Sequence, residues 1–482
     1  MKYATLDDGG VGNTDWTELT PNSPSYYFVP EDGALREEYE RGWKITEAMP
    51  VNSVGIATAR DALTIHFSQG DTWNVVEDFI SLPEDEARQK YGLGKDARDW
   101  KVVFAQKDLK DSGPTRQRLA EVYYRPFDVR HTYYTGNSRG FHCMPRSTVM
   151  DHFFQHDNTG LVTSRLTKGE DFAHAQMTKH ITEVICMSPK TSNNGFVFPL
   201  WLYPRESTDL LDSAPRERAP NLAPAFVAAL TKAVGKTPSP EDTLAYIYAI
   251  LYAPSYRARY ADFLKRDFPR VPLTTDHELF DTLVAIGTEL IALHTMQTTL
   301  PRITGFPEAG GNEVVKVRFT LATPPSERRG SMRSIGGMQP GTAKSHPPRS
   351  PFVAKGEEAV GSREARGNVV MRSESHPPRS PFVPKGEAKA ALPKREGGAG
   401  RVWINDAQYF EGVPEAVWAM HIGGYRVAEK WLKDRKGRAL SYDDLSHYQN
   451  VIATLARTLA LQTGIDDAIE SAGGWPLCWP RG

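Results

Sequence analysis

The chain has 482 residues, 40% hydrophobic and 24% charged, with a net charge of −1. Those values fit a globular protein of about two to four structural units and exclude one that is basic overall. Its three cysteines, Cys143, Cys186 and Cys478, have no paired spacing, which argues against a disulfide framework or a zinc cluster and fits a reducing cytoplasm.

No run approaches the roughly 18 apolar residues of a membrane helix. Polar residues follow Met1 where a secretory signal would be apolar. The charge is unevenly spread. Residues 1–120 carry 14 Lys and Arg against 21 Asp and Glu, residues 121–205 carry 9 against 7, and residues 325–399 carry 14 against 7. A surface that replaces phosphate counterions needs only local Lys and Arg, so it can coexist with an acidic remainder.

Residues 1–120 read as mixed α/β. Tyr26–Pro30 and Ala62–Phe67 look like short strands, and Thr72–Leu93 looks helical. Residues 121–215 read as a β-rich subdomain, dense in Tyr and Thr and broken by Gly, Pro and Asn. Phe196–Tyr203 looks like its closing strand. Residues 216–322 turn to helical periodicity, with Leu279, Leu283, Ile286, Leu290 and Leu293 in one stripe. Ala245–Tyr252 is apolar nearly all round, as a central helix would be.

Val314–Thr320 and Arg401–Asn405 read as two strands that belong together. Between them, residues 323–398 contain a repeat of period 30, Ser345–Glu357 and Ser375–Glu387. Its proline density and scarcity of apolar groups predict a disordered insertion. A basic tether on DNA, a polyproline docking motif and a neutral insertion all fit it, and a two-copy repeat favours the last. Residues 399–482 return to helix, with Leu445, Tyr448, Ile452, Leu455 and Leu459 in a stripe and a capping pair in Ser441 and Asp444. The fold expected is α+β: a β-rich recognition subdomain braced by a helical subdomain, with a long disordered insertion.

Catalytic signatures are missing. No Asn/Asp/Ser-Pro-Pro-Tyr/Phe tetrapeptide of an amino-methyltransferase occurs. Gly235-Lys-Thr237 matches the end of a phosphate loop, but Leu230 stands where its first glycine belongs. Gly136-Asn-Ser-Arg-Gly140 matches a nucleophile elbow, yet Pro145 follows and no amphipathic helix does, so a polar hairpin loop is expected. His142-Cys143 has no second ligand pair. No catalytic, cofactor-binding or metal-ligating residues are therefore assigned.

The densest stretch is Tyr123-Tyr-Arg-Pro-Phe-Asp-Val-Arg-His-Thr-Tyr-Tyr-Thr-Gly136. Read as a strand, it sends one set of side chains inward and Arg or His outward, with a turn or sheet edge at Pro126. Arginine's fixed fork is the commonest reader of guanine in the major groove. The candidate DNA contacts are Arg125, Arg130, Arg139, Arg146, Arg165 and Lys168. For Arg125, Asp128 and Arg130 a structural ion-pair cluster is the alternative, and Pro126 and Phe127 favour such a packed turn. Arg165 and Lys168 lie on the polar stretch Ser164–Glu170, suited to enter a groove. Tyr133 and Tyr134 read as core.

Several blocks resemble, in one order, the C-terminal target-recognition region of type ISP restriction-modification enzymes. They include Val51–Asp61, Arg98–Lys101, Tyr124–Arg130 with Tyr133–Gly136, Phe198–Tyr203, Tyr246–Arg257, Asp267–Pro272, Asn405–Pro414, Ile422–Tyr425 and Lys430–Arg438. The resemblance spans nearly the whole chain except the 323–398 insertion. It implies a reader of asymmetric double-stranded DNA beside an adenine methyltransferase that flips its target base. It also implies that Met1 falls just after the methyltransferase core, so residues 1–120 would be a coupler to that domain. S-adenosylmethionine is then expected only in a partner or missing domain, and a methyltransferase or translocase chain is the expected protein partner.

Overall fold

The computed structural model describes residues 12, 18, 32–96, 99–204, 217–322 and 398–477. The expected strand at Tyr26–Pro30 and residues 323–397 of the repeat insertion lie outside them.

Helices and small, mostly antiparallel sheets are mixed along the chain, in keeping with the expected α+β class. β1 (Ser53–Val54) is followed by a short helix, α1 (Asp61–Thr64). The first half of the strand expected at Ala62–Phe67 is thus helical. Only His66 pairs in sheet fashion, exchanging both backbone hydrogen bonds with His131 at 2.8 Å. The helix expected over Thr72–Leu93 is two, α2 (Gln69–Ser81) and α3 (Glu84–Lys90). Ser68 caps α2 by accepting from the Asp71 amide. Pro83 divides the two, since proline cannot donate within a helix. Then comes α4 (Val102–Asp111).

The Tyr-rich stretch forms a hairpin. β2 (Leu119–Arg125) pairs antiparallel with β3 (Asp128–Tyr133), and Pro126-Phe127 turns between Arg125 and Asp128. After α5 (Ser147–Met150) come β4 (Gly160–Ser164), β5 (Ala175–Thr178), β6 (Ile181–Thr182) and β7 (Gly195–Pro199). One sheet has the order β1-β7-β4-β5, the other β3-β2-β6. The expected closing strand, β7, is therefore interior, which suits the buried Val197 and Phe198.

α6 (Pro240–Tyr252) is buried continuously from Thr243 to Tyr252. It crosses α7 (His277–His294) at Gly287, where a Cβ would overlap the Ala245 carbonyl oxygen. Of the predicted stripe on α7, Leu279, Leu283, Leu290 and Leu293 are buried and Ile286 half-buried. Each full burial of such a side chain contributes roughly 1.5–3 kcal/mol.

β8 (Arg318–Leu321) pairs antiparallel with β9 (Ala399–Trp403), so the insertion leaves and returns between hydrogen-bonded strands. β10 (Tyr409–Pro414) completes that sheet. The hairpin β11 (His421–Ile422) and β12 (Tyr425–Arg426) leads to α8 (Val427–Lys433) and α9 (Tyr442–Ser471). Ser441 and Asp444 cap α9 reciprocally, as their spacing predicts.

Two of the cores draw residues from both sides of positions 120 or 216. One joins Leu63, Trp73, Phe79 and Trp100 to Tyr133 and Phe141. Another joins Leu161, Met177 and Phe198 to α6, α7 and Leu461. Among the described residues, no helix is long and apolar enough to cross a membrane.

Candidate nucleic-acid interface

One short stretch ties the site together. Ser53 and Val54 pair with Val197 and Phe196 of β7. The Gly55 amide then donates to Gly195 O at 3.0 Å, and Ile56 bonds Thr182 O and the Val184 amide. Ala57 and Met144 exchange both backbone hydrogen bonds at 2.9 Å. Gly55 can only be glycine, because a Cβ would overlap the Thr182 carbonyl oxygen. Gly55 and Ala57 are two residues apart, roughly 7 Å along a strand, with amides on the same side. The roots of two polar loops, at Gly195 and at Met144, are therefore fixed to one strand.

The first loop runs from Arg165 to Glu170 and is braced by Ser188–Asn193. Arg165 is well exposed and pairs with Asp267 at 3.1 Å, a carboxylate that also holds Lys44 at 2.8 Å. Leu166 is exposed, while Thr167 is buried and donates to Leu264 O. Lys168 is exposed, and its backbone amide donates to Asn193 Oδ1 at 3.0 Å. Lys190 Nζ donates to Gly169 O at 2.6 Å and lies 3.3 Å from Glu170. Glu170 anchors the whole: it accepts from His174 at 3.0 Å, Ser188 at 3.0 Å and Asn193 at 2.8 Å. Burial raises its carboxyl, but these hydrogen bonds outweigh burial and hold it down, at about 2. The loop is rigid at its base and cationic at its rim.

The second loop, residues 135–148, hangs on Asp108 at the end of α4. Its buried carboxylate accepts from Thr135 Oγ1, Asn137 Nδ2 and the Phe141 amide, each at 2.8 Å. Gly140 lies so close that a Cβ would overlap that carboxylate. Arg139 is exposed and Arg146 half-exposed, and both have left-handed backbones, φ +60 and +55. The Gly136–Gly140 stretch is a polar turn, with the Arg139 amide bonding Cys143 O at 2.9 Å. His142 is buried against Thr132 Oγ1, and burial pushes its imidazole down to about 4.

Arg125 and Arg130 require a correction: both face inward. Arg125 pairs with Glu183 at 2.6 Å, not with Asp128. Arg130 pairs with Asp128 at 2.7 Å and lies between the rings of Phe67 and Tyr124. Asp128 also binds Arg435 at 2.9 Å. Burial raises the Asp128 carboxyl, yet Arg435 and Arg130 outweigh it and keep the group ionised. Burial lifts Glu183 to about 7 against the pull of Arg125. A buried charge without a partner costs several kcal/mol, so these arginines are held by their carboxylates. The strand alternation is the reverse of that expected, with Val129 outward and Arg130 inward.

Residues 47–330 and 355–462 match the model of the Type ISP C-terminal specificity domain. The chain belongs to this family. A comparison with curated proteins finds no match. Among solved structures, a nuclease-deletion mutant of the type ISP restriction-modification enzyme LlaGI, in complex with a DNA substrate mimic, aligns at 16% identity. Its TM-score is 0.58, over 96% of this chain and 37% of that one. The DrdV–DNA complex aligns at 16% identity and TM-score 0.57, over 98% and 42%. The ATP-dependent type ISP enzyme LlaBIII bound to DNA aligns at 14% and 0.57, over 93% and 25%. This specificity domain thus shares their fold and spans less than half the length of each of the three.

Within the type ISP domain, sequence reading missed Lys190, Glu170, Asp108 and Arg435. Lys190 had a usable signal, since Ser188-Pro-Lys-Thr-Ser-Asn-Asn-Gly195 has the composition of a turn. The others act through partners distant in sequence, such as Arg435 on Asp128.

Proposed function

We propose that this chain reads double-stranded DNA as the specificity part of a type ISP restriction-modification system, with residues 121–215 as the reading unit. The observation that carries the reading is the match to the type ISP specificity domain over most of the chain. It is supported by the aligned relatives, which are described in complex with DNA. Arg165 and Lys168 on one anchored loop, Lys190 on the segment that braces it, and Arg139 and Arg146 on a second loop supply the local cations that a phosphate surface needs.

The modifying chemistry belongs elsewhere in this proposal. The chain carries no methyltransferase tetrapeptide, so adenine methylation falls to a catalytic domain on a partner chain or a missing part, in the cytoplasm. That domain also holds S-adenosylmethionine. The test is a titration of the whole chain with duplex DNA and, separately, with S-adenosylmethionine. Duplex binding without cofactor binding is expected. Cofactor binding without DNA binding would refute the assignment.

A further inference from the structure

The cleft between Arg139 and Arg146 carries a more specific assignment, one that rests on the DNA-reading proposal. Ser138, Ser147 and Thr148 line it with hydroxyls, and Asp99 is the only carboxylate among its described lining residues. Neither arginine is ion-paired with a carboxylate among the described residues. Arg146 Nη2 has only the Met144 sulfur, at 3.2 Å, and its Nε is buried without a partner. By contrast, Arg125 is paired with Glu183, and Arg130 and Arg435 with Asp128.

The scaffold beneath the cleft is fixed on both sides. Met144 is bonded in both directions to Ala57, and Asp108 ties down the 135–141 turn. Left-handed backbones at both arginines are unfavourable for a side chain with a Cβ, and the surrounding contacts hold them there. Two guanidinium groups and three hydroxyls on a rigid frame match a tetrahedral oxyanion. An arginine can also read guanine, but two arginines gathered with three hydroxyls around one cleft suit a single anion better than an extended base edge.

We infer that this cleft seats a phosphodiester of the DNA backbone, so that Arg139 and Arg146 position the duplex and do not read its sequence. A positioning contact strengthens binding to all sequences alike and contributes to salt dependence, so its loss weakens every duplex equally. The test measures affinity of the whole chain for several duplexes across a range of salt, for wild type, Arg146→Ala and Thr148→Glu. Thr148 is exposed, so the added carboxylate is tolerated by the fold and repels phosphate without removing an arginine.

Both variants are expected to lose roughly five- to tenfold in affinity near 0.1 M salt for every duplex. Arg146→Ala should lower the slope of log K against log salt by about 0.9. A changed ranking of duplexes with an unchanged slope would overturn the inference while leaving DNA reading intact. If the chain binds no DNA but takes up inorganic phosphate in an Arg146-dependent way, the cleft is a free-phosphate site. The duplex assignment then falls together with the proposed function.

Discussion

Arg165 and Lys168 share a loop but differ in what restrains them. Arg165 is held at the surface by Asp267, itself shared with Lys44, whereas the Lys168 side chain projects from a backbone pinned by Asn193. Exposed pairs contribute at most about 1 kcal/mol to stability. Arg165→Ala and Lys168→Ala are therefore expected to melt within a few degrees of wild type while binding duplex DNA about five- to tenfold more weakly. Melting curves and fluorescence anisotropy check this, and unchanged affinity in both variants would remove the loop from the interface. Glu170 beneath them behaves differently. Its folded carboxyl sits at about 2, below the ordinary 4.5. The stability it contributes is thus fully present above pH 4.5 and is lost as pH falls from there towards 2. Glu170→Gln should melt lower than wild type at neutral pH, with the gap closing below pH 4.5. A gap that persists unchanged down to pH 2 would contradict an ionised anchor.

Helix α4 shows how an element outside the β-rich region shapes the site. Asp108 lies in the part of the chain expected to couple to a missing domain, yet it holds the 135–141 turn through three hydrogen bonds. Asp108→Ala leaves buried donors unmatched, at a cost of roughly 2–4 kcal/mol. It should lower both the melting temperature and DNA affinity, whereas Lys110→Ala on the same helix should change neither. Equal effects from the two would show that the helix, not this carboxylate, matters.

Helices were the most legible elements. The stripes on α7 and α9 and the Ser441–Asp444 cap read directly from spacing, because each depends on neighbours within one or two turns. β8 and β9 pair across the insertion as expected, although β8 covers only Arg318–Leu321 of the strand expected at Val314–Thr320. Ala62–Phe67 misled because short apolar runs suit strand and helix alike. The site was legible only in its exposed cations. Arg130 faces inward because Arg435, more than 300 positions away, shares Asp128 with it. No local pattern carries that information.

At the scale of the molecule, the β-rich region and the C-terminal helices stand or fall together. Asp128 joins β3 to Arg435, and Tyr425 on the C-terminal hairpin donates to Ile185 O at 3.0 Å. Gly423 and Gly424 let that hairpin close on Met187 and Glu170, where a Cβ at either would overlap. The loop carrying Lys168, and the segment carrying Lys190 that braces it, are thus buttressed from the far end of the chain, which holds their shape. Shape held in this way predicts selectivity and not merely charge attraction. The most direct measurement is selection of the whole chain on a pool of randomised duplexes at about 0.15 M salt, followed by sequencing of the bound fraction. The account predicts enrichment of one asymmetric sequence. A bound fraction with no sequence in common, or no bound fraction at all, would contradict it.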